Sequence, residues 1–524
     1  MQQDLTQGSI RAGLIRFSLP LIAGNLLQQL YNVADTLIVG RFLGNVALAA
    51  VGSAFSLMIL LTSLVLGLCM GSGVVFSQLY GEGNMDKLKT AMTNAFCLIA
   101  ALSVLLTVLS YALLDAFIVL LRVPPEAVPD ITSYLRVIFA GIFFTFLYNF
   151  FAAALRSVGN SFASLLFLLL STVVNIALDL LFVLVLRRGV AGAALATVIA
   201  QGLSAAGIAL YFFFCLPELR PRRSNFRLDR PLLSRIASVS VLTSVQQSIM
   251  NFGILLVQSL VNSFGVATMA AFAAGVKIDS FAYSPAQDFA NGFATFVAQN
   301  TGAGKPERVK QGIREAALLS LSFCAVVSAL VFIFARPLLT LFIDPGEREI
   351  LAVGVHYLRV EGVFYVGIGL LFLLYAIYRG LEQAGMSVVL TVISLGLRVA
   401  LAYAFAPHFG VTAIWLAIPI GWFIADAVGL IRLKAALPHA DVRAGLVKQA
   451  VADEDDALCA PLLDAAAGRF AYRMCAGCGH RDAVDAVFLE ENRLAEVARR
   501  AGERAVGADR RAPAVSAQAE VLAP

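Results

Sequence analysis

The sequence predicts an all-α polytopic membrane protein, with twelve transmembrane helices in two six-helix lobes related by a pseudo-twofold axis along the membrane normal. Three observations carry this. Of 524 residues, 59% are hydrophobic and only 14% charged, with mean hydropathy +0.83, whereas soluble domains carry about 25% charged residues. Twelve apolar segments follow one another, at roughly 14–43, 46–79, 90–118, 130–155, 161–186, 190–216, 236–264, 266–299, 313–342, 351–378, 387–406 and 411–434. A helix needs about 20 such residues to cross a bilayer. Finally, the halves repeat.

Residues 1–12 form a polar arm, 13–216 the first lobe, 217–235 a basic linker, 236–436 the second lobe and 437–524 a polar tail. The linker is arginine-rich and divides six segments from six. Gln78-Leu-Tyr-Gly81-Glu-Gly83 returns as Gln299-Asn-Thr-Gly302-Ala-Gly304 after 221 residues, and Tyr134-Leu135-Arg136 as Tyr357-Leu358-Arg359 after 223. Gly189-Val190 likewise returns as Gly410-Val411. Six helices, an even number, separate the copies, which makes the repeats parallel and suggests a substrate path between two lobes.

The net charge of +5 resides largely in short loops, where it sets topology and does not form a nucleic-acid patch. With the arm inside, the inner loops hold most of the Arg and Lys, including Arg11, Lys87, Arg156, the linker arginines, Lys305, Arg308 and Arg379. Both termini are therefore expected in the cytoplasm. No separate signal peptide is needed, since the first segment is too long for a cleaved leader. Pro20 and Pro285 lie inside apolar runs and are expected to kink or start their helices.

The segment Pro20 to Gly44 organises the chain. It spans a bilayer yet holds Gln28, Gln29, Tyr31, Asn32 and Asp35, with Gln28, Tyr31, Asn32 and Asp35 on one helical face. A carboxylate at this depth costs about 2.5–3.5 kcal/mol or more and favours a functional role over mere helix–helix contact. In the fifth segment Asn175 and Asp179 stack at i, i+4; in the sixth Thr197 and Gln201 do the same; Asn149 in the fourth adds a buried amide. Two membrane acids amid neutral hydrogen-bonding groups are suited to taking up and releasing a proton. In the second lobe Lys277, Asp279, Asp288, Arg398 and Asp426 also fall within apolar runs, where structural ion pairs and transport roles are equally open.

Enzyme signatures are missing: there is no P-loop and no HExxH, and His356, His408, His439 and His480 lie outside the polar clusters. Membrane-segment cysteines Cys69, Cys97, Cys215 and Cys324 are scattered packing residues. The tail group Cys475, Cys478 and His480, with Cys459 poorly placed as a fourth ligand, reads as reduced and metal-free; partial disorder is expected there.

Pro20 with Asp35 fifteen residues on, the run ADTLIVGRFLG, the paired Gln78…Gly81 and Gln299…Gly302 turns and Arg156-Ser-Val-Gly159 together resemble the multidrug and toxic compound extrusion family over residues 10–436. The DinF-like prokaryotic branch is the most similar. The resemblance implies a hydrogen-bonded proton site of Gln28, Asp35, Asn149, Asn175, Asp179 and Thr197, with a bend at Pro20. The sodium-coupled branch places acids on helices seven and ten, where this chain has Met250 and the acid-free run 371–378.

The expectation is a secondary antiporter of the inner (plasma) membrane, not an enzyme, exporting amphipathic, cationic small molecules in exchange for protons. Asp35, Asp179, Asn175 and Thr197 would couple the ion, Gln28, Tyr31, Asn32, Asn149 and Gln201 would line the cavity, and Pro20 would be the hinge. No cofactor is expected beyond a proton gradient, with sodium possible; partners are a small-molecule substrate and the bilayer, with no nucleic acid, and the protein is expected to be a monomer. The alternatives are a lipid-linked precursor flippase, which would want a strongly cationic cavity, and a sodium-coupled exporter; a channel or membrane enzyme is the rival from another class.

Overall fold

A computed structural model describes residues 3–120 and 125–452, and helices dominate the described residues. In order they are α1 (Ile10–Leu43), α2 (Asn45–Gly81), α3 (Met85–Ala112), the short α4 (Leu114–Leu120), α5 (Val128–Ser157), α6 (Ser161–Asp179) and α7 (Gly189–Cys215) in the first half. The second half has α8 (Arg230–Asn262), α9 (Val266–Gly302), α10 (Pro306–Leu339), α11 (Arg348–Gly362), α12 (Tyr365–Gly380), α13 (Ala384–Phe409) and α14 (Val411–Ala452). Ten are long and apolar enough to cross a membrane, and α11 with α12, bent by 51° at their junction, make an eleventh span. The twelfth position belongs to α9, whose 37 residues suffice in length but whose interior carries Lys277, Asp279 and Asp288. The twelve-segment, two-lobe plan is thus the observed one.

Helix starts follow local chemistry. Asn84, Asn160 and Asp229 each accept a hydrogen bond from a backbone N–H three residues on, at 3.0, 3.2 and 3.0 Å. The connections before α3, α6, α10 and α13 all need a left-handed residue: Gly83, Gly159, Gly304 and, in the fourth, Glu382 at φ 59°. Glycine takes this conformation freely; Glu382 is held in it by partners described below.

Two apolar cores correspond to the two lobes, apart from Ala298 and Ala384, which pack into the first, and an exchange of leading turns. Leu5, Leu14 and Phe17, from the arm and the start of α1, pack into the second core. Leu232, Ile236 and Val239, from the start of α8, pack into the first. Each lobe therefore lends the first turns of its leading helix to the other. Large apolar side chains such as Phe162, Val173, Phe214, Val326 and Ile333 remain exposed on the outer faces, as a hydrocarbon surrounding permits.

The lobes close on each other at the end that holds the arm. A Cβ on Gly81 would lie 2.0 Å from the carbonyl oxygen of Gln299, and one on Gly302 would lie 2.0 Å from that of Gln78. Gln78 donates to the carbonyl of Gly380 at 2.9 Å, and its repeat mate Gln299 donates to that of Ser157 at 2.7 Å. Arg235 grips both oxygens of Glu382 at 2.9 and 2.8 Å and reaches Gln78 Oε1 at 2.6 Å. Ser72 and Ser240 hydroxyls meet at 2.9 Å. The arm seals the same end: Gln3 donates its backbone N–H to Gly159 O at 3.2 Å. From the other lobe, Asn300, Lys305 and Arg308 donate to carbonyls of Leu5, Thr6, Gln7 and Gly8.

Neither Pro20 nor Pro285 starts its helix; α1 and α9 run through them. The non-helical backbone beside a proline occurs instead in α10, at Phe334, three residues before Pro337. Arg156 and Arg379, read as loop charges, lie in the last turns of α5 and α12, and Arg379 is only 4% exposed. The boundary placed at 436 falls inside α14, and residues 453–524, including Cys459, Cys475, Cys478 and His480, lie outside the described residues.

Candidate functional site

Asp179 ends α6, and the chain continues into a π-helical stretch, Leu180–Val185. Such wider turns recur at functional sites because they redirect a side chain without ending the helix. Asp179 is fully buried, and neither carboxylate oxygen has a hydrogen-bond partner among the described residues. One turn earlier Asn175 donates to the Thr197 hydroxyl of α7 at 3.3 Å, leaving its own Oδ1 unpartnered. The same hydroxyl lies 3.1 Å from that of Tyr31 on α1. One threonine thus ties α1, α6 and α7 together.

Asp35 follows Tyr31 by one turn, half-buried, with one oxygen unpartnered. Its charge acts on Asp179, and both acids act on Tyr31 and on Tyr134 of α5. The structure therefore gathers Tyr31, Asp35, Asn175, Asp179 and Thr197. Tyr134 joins them, although the sequence marked it only as part of a repeat.

The remaining candidates lie apart. Gln201 accepts from Thr145 of α5 at 3.0 Å, and Asn149 donates to the Thr145 carbonyl at 2.8 Å. The Thr145–Gln201 bond is a polar contact between α5 and α7 apart from the acid cluster, and Thr145 had no sequence signal beyond its position in an apolar run. Asn32 is half-buried and Gln28 exposed, and neither bonds into the acid cluster. Pro20 sits on α1 fifteen residues before Asp35.

The second lobe buries a different cluster in matching places. Tyr357 and Arg398 stand 223 residues after Tyr134 and Asn175. Asp279 on α9 accepts hydrogen bonds from the hydroxyls of Tyr357 and Tyr365, and Glu361 and Arg398 lie within its electrostatic reach. Tyr357 also packs edge-on against Trp415, centroids 4.7 Å apart. Lys277 is exposed and takes no part. Glu361 is the residue sequence reasoning missed; its signal, a lone carboxylate inside the segment 351–378, was there to read. Where the first lobe has acids and neutral partners, the second holds acids with an arginine. Among the described residues no three His, Cys, Asp or Glu side chains group as metal ligands.

The MatE family model matches residues 20–181 and 243–404, one copy in each half. The chain is similar to "Probable multidrug resistance protein YpnP" of Bacillus subtilis, with 28% identity over 82% of this chain and 96% of that one. It is also similar to the "FAD transporter" of Shewanella oneidensis, with 27% identity over 80% and 93%. Among solved structures, an outward-facing multidrug resistance MATE family transporter superposes with TM-score 0.78 at 25% identity, covering 83% of this chain and 98% of that one.

Proposed function

The chain belongs to the MatE family, and on that premise we propose that it is a proton-coupled antiporter that exports amphipathic small molecules by alternating access between its lobes. Multidrug efflux is the activity named for its relatives. The observation that carries the coupling reading is the pair Asp35 and Asp179, gathered with Tyr31, Asn175 and Thr197 and left with unpartnered carboxylate oxygens. Buried acids without a cationic partner are costly, and holding a proton removes the charge. A cationic substrate removes it equally well, so proton and substrate exclude each other, as exchange requires.

The closed end carries the arm, Arg235, Lys305 and Arg308, and the positive-inside rule makes this the cytoplasmic face. The conformation is then outward-facing, in the plasma membrane, with a monomer sufficient for transport. A second reading, sodium in place of protons, is favoured by one observation, the buried acids Asp279 and Glu361 in the second lobe.

Purified protein in proteoliposomes decides between them. Dye accumulation driven by a proton gradient in sodium-free buffer is expected. Transport that survives collapse of that gradient and stops without sodium would establish the second reading; absence of transport under either gradient would defeat both.

A further inference from the structure

Arg156 and Arg379 are repeat mates, 223 residues apart, yet their surroundings differ. Arg156 acts electrostatically with Asp288. Arg379 is buried, donates one hydrogen bond, to Asn291 Oδ1 at 2.8 Å, and leaves its Nε–H unpartnered. It enters none of the ion pairs among the described residues. A small cavity lies beside it, between α8, α9 and α12, bounded by Gln246, Gln287, Asn291, Phe372 and Tyr375. Gln246 is 1% exposed and its Oε1 is also unpartnered. Met250, on the same wall, brings no charge.

A guanidinium is permanently charged and offers a fork of donors that fits carboxylate or phosphate. Buried without a counter-charge it is costly, and an anion that reaches it recovers that cost. The cavity is water-sized, so it admits one acidic oxygen of a substituent and not a whole drug. Two aromatic walls beside it suit the ring that bears the substituent.

We infer that the cavity at Arg379 is an acid-recognising subsite, receiving a carboxylate or phosphate carried by the transported molecule. The preferred substrates are then zwitterions or acids with an aromatic body, the cationic end facing Asp35 and Asp179 of the first lobe. This rests on the export reading above and narrows its substrate class.

The test compares tetramethylrhodamine, which carries a free carboxylate, with its methyl ester, by equilibrium binding to the full-length protein in detergent. Wild-type protein is expected to bind the acid at least tenfold more tightly. Arg379→Gln should bring the ratio near one, and Arg379→Lys should retain most of it. Equal wild-type affinities overturn the subsite even if Arg379→Gln does not fold. So does an undiminished preference in folded Arg379→Gln. An anionic headgroup offers the same chemistry, so the ratio is measured again with added phosphatidylglycerol. Loss of the preference there would assign the site to lipid and overturn a substrate role. Ester binding and gradient-driven ester transport test the export reading independently.

Discussion

Gly81 faces the carbonyl oxygen of Gln299 at a distance that admits hydrogen but not a methyl group: a Cβ there would sit 2.0 Å away. The mirrored contact of Gly302 with Gln78 makes the closed end a paired crossing of α2 and α9 about the repeat axis. Gly81→Ala forces these helix ends apart, and overpacking of this kind costs about 1–3 kcal/mol. The cytoplasm-closed population should fall accordingly. Spin labels at exposed Glu82 and Glu307, in a cysteine-free background, should report a longer or broader distance distribution in Gly81→Ala. An unchanged distribution would mean that the crossing does not govern closure.

The arm is a second fastening of the same end. Arg308 reaches the carbonyls of Leu5, Gln7 and Gly8, while Gln3 is anchored to Gly159 of the other lobe. Hydrogen bonds to a charged donor are worth about 1.5–3 kcal/mol. Deleting residues 1–8 and replacing Arg308 by Ala should each shift the same label pair toward opening. Combined, the two changes should add little beyond the larger single effect, because they remove the same contacts. Full additivity would show that the arm acts elsewhere.

How much of this was legible depended on whether a signal is local. The twelve segments, the two repeats and the separate polar faces of α1, α6 and α7 followed from hydropathy and helical spacing, because a polar side chain in an apolar helix must turn toward protein; their gathering into one site was implied only by the family resemblance, whose set also held Gln28 and Asn149 and left Tyr31 to the cavity. The exchange of leading turns between cores was not legible, since Leu5, Leu14 and Phe17 are apolar whichever lobe receives them. Arg379 was misread because a charge near a segment end looks like a loop charge until the packing of α8 and α9 around it is known.

Thr197 is the hinge of the first-lobe cluster by geometry, not by charge. Thr197→Val keeps the shape of the side chain and removes the hydroxyl shared by Tyr31 and Asn175. Asn175 then loses the bond its side-chain amide makes to this hydroxyl, and Tyr31 loses the same partner. A stability loss of about 1–3 kcal/mol is expected, read as a lower melting temperature in detergent. Thr197→Ser, which keeps the hydroxyl, should recover most of it. Equal losses in both variants would assign the effect to packing of the methyl group.

The acids themselves carry the last prediction. Asp35→Asn should abolish export at normal membrane abundance, since an amide neither holds the exchangeable proton nor attracts a cation. Asp179 is fully enclosed and Asp35 half-buried, so each carboxylate is available to one occupant at a time: a proton, or the field of a cationic substrate. Lowering the pH fills the acids with protons and removes the attraction. Binding of a permanently cationic ligand in detergent should therefore weaken as pH falls from about 8 to about 5, with protons taken up as the ligand leaves. The double variant Asp35→Asn with Asp179→Asn should bind weakly and without pH dependence. Cation binding that stays constant over this range in the wild-type protein would place the coupling elsewhere, and the second-lobe acids Asp279 and Glu361 would be the next residues to replace.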